Sequence, residues 1–154
     1  MKLEIELVPS TSWYTNVRSN VSSKEWDKLR KECYLRANNK CEICNDNGLN
    51  QGFKHRVECH EIWEYNDDTK NQKLVGLISL CVLCHRVKHI GLSQLKGYYN
   101  QCLEHLCKVN SITLNDALKH VKNSYYIFET RSNYKWNIDI TYLDNYFKEI
   151  KELF

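Results

Sequence analysis

The residues whose types and spacing can do chemistry fall in one stretch of this 154-residue chain. Cys41-Glu42-Ile43-Cys44 and Cys81-Val82-Leu83-Cys84 form two close pairs, separated by residues 45–80. Two intervening residues let both thiolates of a pair reach one tetrahedral ion, and two such pairs complete a closed four-sulfur zinc shell. The second pair runs straight into His85, with His89 four residues later. On a helix those imidazoles share one face and can grip one ion. Between the pairs lies Cys59-His60-Glu61. An imidazole of ordinary pKa about 6.5 is suited to take a proton near pH 7. The spacing therefore predicts a structural zinc held by Cys41, Cys44, Cys81 and Cys84, fixing the start of a short histidine-bearing segment.

Elements must position these groups, and the pattern of the chain predicts them. Leu3, Ile5 and Leu7 alternate with Glu4 and Glu6, which suggests a short N-terminal strand or arm. Ser22 and Glu25 have capping-box spacing, so a helix is expected from Ser22 or Ser23 to Asn38-Asn39, with Trp26, Leu29, Arg30, Cys33 and Ala37 in helical register. Asp46-Asn47-Gly48 marks a turn. Residues 54–63 read as a strand in strict alternation, and residues 73–80 as a second extended segment. A short helix is expected over residues 82–89, stopped by Gly91. Beyond it, Leu92, Leu95, Tyr99, Cys102, Leu103 and Leu106 fall on one helical face. Thr113 and Asp116 open another helix toward Arg131, and residues 136–140 read as a short strand. Tyr142, Leu143, Tyr146, Phe147 and Ile150 mark a last amphipathic helix.

Composition narrows the class. Hydrophobic residues at 42% and charged residues at 27% are ordinary for a globular protein, and one Pro with five Gly leaves no room for long linkers. The N-terminus lacks a signal-peptide core, and the longest apolar run is too short for a bilayer. Cysteines without an export signal favour metal ligation over disulfides, so a cytoplasmic location and no membrane partner are expected. The formal charge of +3 falls to about +1 once four thiolates hold one zinc. A nucleic-acid partner therefore has to be argued from local charge. Lys24, Lys28, Arg30, Lys31, Arg36 and Lys40 crowd one segment, while Arg56, Arg86 and Lys88 are candidate phosphate contacts. A solvated role explains them equally well.

Taken together, Cys41-x-x-Cys44, Cys59-His60-Glu61 and Cys81-x-x-Cys84-His85-x-x-Lys88-His89 resemble the HNH endonucleases over residues 24–91. The resemblance implies a ββα-metal fold, often stapled by a four-cysteine zinc. It implies His60 as general base, with Cys59 at a metal-ligand position. His85 and His89 take the helical ligand positions for a second divalent ion, whether Mg, Mn, Ni or Zn. Metal-dependent hydrolysis of DNA phosphodiester bonds would follow. Gly76 stands where that family usually has its asparagine, with Gln72 or Ser79 as candidate substitutes. Cys59 is a soft thiolate where hard oxygen is usual. An ideal strand also points Cys59 and His60 to opposite faces.

The expected fold class is therefore α+β, a small zinc-stapled ββα-metal core with an N-terminal helix and a helical C-terminal extension. Its segments are residues 1–22 (strand or arm), 23–91 (the zinc-binding module) and 92–154 (the extension, a candidate surface for a protein partner). The alternative is a catalytically inactive module of the same fold that binds nucleic acid or a protein. Glu61 reads either as a residue orienting a histidine or as an exposed carboxylate. Trp63 and Tyr65 read as packing rather than base-stacking groups. His55, His105 and His120 read as surface residues, and Cys33, Cys102 and Cys107 as core.

Overall fold

The computed structural model describes residues 1–153, with side chains described for residues 1–148. Its fold is α+β, with helices around a three-stranded sheet. Residues 1–9 form no strand. They run as an arm whose Leu3 and Ile5 are buried, while Asn110 Oδ1 accepts from the backbone N–H groups of Lys2 and Leu3. The arm replaces the predicted strand because side-chain acceptors from distant helices satisfy its backbone: His120 Nε2 accepts from Ile5 N–H at 2.9 Å.

A 3-10 turn at Ser10–Ser12 leads to α1 (Val17–Asn20), which the sequence pattern did not announce. Asn16 caps it, accepting from Ser19 N–H. Helix α2 (Ser23–Arg36) starts where predicted, with Ser22 and Glu25 forming the reciprocal capping box. It stops as Asn38 and Asn39 take φ of 53° and 57°, a left-handed region that asparagine tolerates.

The sheet begins later than expected. β1 (Glu58–Asn66) pairs antiparallel with β2 (Asn71–Leu80), and β3 (Asn137–Asp139) lies parallel to the start of β2. Residues 54–57 instead close the loop of the first cysteine pair, where Gly48 N–H donates to Arg56 O at 2.6 Å. A Cβ on Gly48 would sit 2.1 Å from the His55 carbonyl oxygen, so only glycine fits there. The register shifts opposite Ile62 and Trp63, where Gly76 faces Ile62 and Leu74 faces Trp63.

Helix α3 (Val82–Lys88) follows β2 at once, with Cys81 as its N-cap. The chain then turns at His89 into α4 (Ile90–Leu95). Gly91 is inside α4, not a stop; the break comes at Gly97, whose φ is 82°. This break divides the single helical face predicted beyond Gly91, and Leu92 and Leu95 are exposed. α5 (Tyr99–Asn110), α6 (Leu114–Arg131, capped by Thr113) and α7 (Thr141–Leu153) complete the fold. The Ile150 side chain, expected on the apolar face of α7, lies outside the described residues.

Two cores flank the sheet. One joins the arm, the end of β2, α3, α4, α5 and α6 through Leu3, Leu80, Val87, Ile90, Leu106 and Ala117. The other joins α1, α2, β2 and α7 through Val17, Leu29, Leu74, Leu77 and Leu143. Leu29 and Leu74 are essentially unexposed, and each contributes roughly 1.5–3 kcal/mol by leaving water. No described helix is long and apolar enough to cross a membrane.

Candidate functional site

The four predicted zinc ligands meet. The Cys41, Cys44, Cys81 and Cys84 sulfurs lie within 4.8 Å of one another, with Cys41, Cys81 and Cys84 buried. The Cys44 and Cys81 sulfurs are 3.6 Å apart. Zinc–sulfur bonds of about 2.3 Å give a tetrahedral edge of roughly 3.8 Å, so the donor set fits zinc. Hydrogen bonds among the sulfurs lower the Cys41 and Cys81 thiols and raise Cys44 and Cys84. Four thiolates this close repel, and a divalent cation removes that conflict.

Local sequence makes this staple rigid. Asn45 takes φ of 64° to close the first turn, and its N–H donates to Cys41 O. The N–H of Cys84 donates to the Cys81 sulfur at 3.4 Å. Glu42 then ties the loop to the end of β2, accepting from Ser79 N–H at 2.7 Å and from Arg36 at 3.1 Å. His105 was expected at the surface but is buried, with Nε2 3.1 Å from the Cys84 sulfur. The clue was its three-residue spacing from Cys102, which places both on the buried side of α5.

A second cluster lies at the other end of α3. The ring nitrogens of His60, His85 and His89 lie within 4.8 Å of one another. Their centroids are 5.2 Å apart for His60–His85, 5.0 Å for His60–His89 and 4.8 Å for His85–His89, all edge to face. β1 supplies His60, α3 supplies His85, and the turn after α3 supplies His89. His85 and His89 meet because four residues make one helical turn. Burial holds the His60 imidazole down at about 2, helped by positive charge on His89 and His85. Burial also holds His89 down at about 4. His60 and His89 are thus neutral at pH 7, with lone pairs free for a proton or an ion.

Glu58, which sequence reasoning did not single out, completes the cluster. Its Oε2 accepts from His85 Nδ1 at 2.8 Å, and its Oε1 lies 3.1 Å from His55 Nε2. With Nδ1 committed as donor, His85 presents the lone pair of Nε2. Burial pushes the Glu58 carboxyl up, but bonds and charge from His85 and then His55 outweigh it, leaving about 2. Strand alternation held the signal, because residues 58 and 60 share one face.

The same alternation removes Cys59 from the imidazoles. Its thiol donates to the Cys33 sulfur in the core shared with α2, and that bond, then burial, pushes it well above the ordinary thiol range. Glu61 is no partner for the histidines either. Its carboxylate accepts from Val17 N–H at 2.6 Å and Trp63 Nε1 at 3.0 Å, and so anchors α1.

Two candidate phosphate contacts are otherwise engaged. Lys88 is 6% exposed and donates to Glu6 Oε1 at 2.8 Å. Arg86 stacks over Tyr98, 3.7 Å from its centroid, and donates to Gln101. Arg56 is exposed in the loop before β1. Neither proposed substitute for the asparagine reaches the imidazoles by a hydrogen bond: Ser79 Oγ donates to Lys40 O, and the buried Gln72 side-chain amide has no partner among the described residues. The three rings line a cavity together with Arg18, Trp26, Trp63 and Tyr65.

The arrangement can hold one divalent ion on two or three neutral imidazoles, with open space facing it. No family model, curated protein or solved structure matches this chain, so the reading of its chemistry rests on this geometry.

Proposed function

We propose that the chain is an HNH-type endonuclease that hydrolyses DNA phosphodiester bonds with a divalent metal. The observation that carries this reading is the convergence of His60, His85 and His89 on an antiparallel strand pair and the helix that follows, stapled by four cysteines. Imidazole donors suit Zn or Ni well, and Mg poorly. His85 and His89 are the residues to hold the ion, His85 with its Nε2 directed by Glu58. When bound, such an ion supplies Lewis-acid polarisation of a phosphate oxygen and stabilises the leaving oxygen.

His60 takes the proton from the attacking water. It is almost buried, sits across from the helical pair, and carries no competing hydrogen bond from a described residue. Its depressed pKa keeps it unprotonated in the resting site. The negative charge of an arriving phosphate then raises its proton affinity toward the range a general base needs.

The experiment is nicking of supercoiled plasmid by purified protein across Mg²⁺, Mn²⁺, Ni²⁺ and Zn²⁺, beside His60→Ala. Metal-dependent nicking that His60→Ala loses supports the reading; equal nicking by the variant removes His60 as base. A second reading, a catalytically inactive module, is favoured by one specific observation. His60 lies within 0.4 Å of being as close to His85 and His89 (5.2 and 5.0 Å) as they lie to each other (4.8 Å), so all three rings can close on one zinc. Two tightly held zincs per chain and no nicking under any condition would establish it.

A further inference from the structure

The cavity beside the imidazoles has features that holding an ion leaves unused. It is about 230 Å³ in volume, and Trp26 from α2 and Trp63 from β1 give it aromatic lining; Tyr65 also borders it, but Arg131 lies over that ring at 4.4 Å. Small-molecule pockets run from about 300 to 1,000 Å³, so this one has room for one base-sized ring and little more. Aromatic walls suit any nucleobase, because every base presents a π face.

The charge of the cavity also suits a nucleotide. Its two carboxylates are both engaged, Glu6 with Lys88 and Glu61 with two N–H groups. Arg18 is its one arginine; it is exposed, and no described residue forms an ion pair with it. Helix α1, which carries Arg18, is tied down, since the half-buried Glu61 carboxylate accepts from Val17 N–H at 2.6 Å. The cavity thus brings aromatic side chains, an arginine on an anchored helix and the imidazoles into one lining. A base stacked and paired inside a duplex cannot enter such a side pocket without leaving its neighbours.

We propose that this cavity takes one unpaired nucleobase, with Arg18 gripping an adjoining phosphate, so that the DNA acted on is single-stranded or locally unpaired at the scissile step. The proposal deepens the hydrolytic reading above and rests on it for the word scissile; base capture itself does not need catalysis.

Binding without added divalent ion separates the two. The zinc-loaded full chain is titrated with a labelled single-stranded DNA oligonucleotide, its perfect duplex, and a duplex carrying one unpaired nucleotide, following anisotropy and indole fluorescence. The expected result is about tenfold tighter binding to the two DNAs that offer an unpaired base, with indole quenching. An oligonucleotide made abasic at single positions loses that gain where the missing base is the captured one, without any change to the protein. Trp26→Phe keeps the preference and Trp26→Ala loses it. Arg18→Ala, at an exposed position, weakens the two DNAs that offer an unpaired base and lowers their salt slope by about one. Equal affinity for duplex and single strand, or a preference indifferent to abasic positions, overturns the proposal. Preference and quenching without nicking in any metal sustain base capture and remove the hydrolytic reading.

Discussion

The two ends of α3 hold opposite kinds of metal-ligating cluster. At its start, four sulfurs are packed among leucines and valines, and three of the four residues are almost unexposed. At its end, three imidazoles border a cavity, and the His85 side chain keeps 22% of its exposure. A closed four-ligand shell leaves no position for substrate, so it can only contribute to folding; an incomplete shell facing open space can do chemistry. Cys84 and His85 are neighbours on α3, so the helix that the staple anchors carries His85 and leads directly to His89. The difference teaches that stability and reactivity need opposite environments, and that a short rigid element can connect them.

The largest effect expected is on the closed end. Structural zinc contributes an apparent 10–16 kcal/mol or so in small zinc modules, so Cys81→Ser should abolish zinc retention and cooperative unfolding together. Circular dichroism melts and zinc counting check this. His89→Ala, at the open end, should keep both. If the two variants unfold alike, the contrast between the ends is false. Next in size is catalysis: His60→Ala should slow plasmid nicking by roughly 10²–10⁴-fold while keeping the four-cysteine zinc and a cooperative melt.

The same contrast explains how much could be read from the chain itself. The four-cysteine cluster was readable because its ligands come as two local pairs, each defined by two intervening residues. His85 and His89 were readable because helical periodicity places them together. Helix α2 and the start of α6 announced themselves through Ser22 with Glu25 and Thr113 with Asp116. Long-range acceptors were not readable. Glu58 reaches His85 across 27 positions, Glu61 reaches Val17 across 44, and His120 reaches Ile5 across 115. Single hydrogen bonds of that kind leave no periodic trace. Cys59 was misplaced by following a motif position against the strand alternation. Lys88 was misplaced because nothing local reveals that Glu6 folds back on it.

Glu58 offers a sharper test of the open end. Glu58→Gln keeps an oxygen near His85 Nδ1 but removes the charge that fixes its tautomer. Loss of such an outer partner typically costs about 10–100-fold in metal affinity or activity. The expected result is a higher metal concentration for half-maximal nicking, with the four-cysteine zinc retained. An unchanged metal requirement would mean that Glu58 only ties His55 and His85 together as packing.

The smallest expected effect brings the comparison back to the closed end. His105 Nε2 lies 3.1 Å from the Cys84 sulfur, and an N–H bond to a thiolate lowers its charge density and slows its protonation. His105→Ala removes one hydrogen bond worth about 1 kcal/mol, or roughly fivefold in zinc retention. A chelator-competition assay should show that loss, while nicking before chelator is added stays at the wild-type rate. His105 is 8% exposed, so the alanine also leaves a void, and His105→Gln separates the two causes because its amide can still donate. Retention restored by glutamine but not by alanine assigns the effect to the bond. Nicking that falls in step with His105→Ala before any zinc is lost would show that the two ends of α3 are coupled more tightly than a passive staple requires.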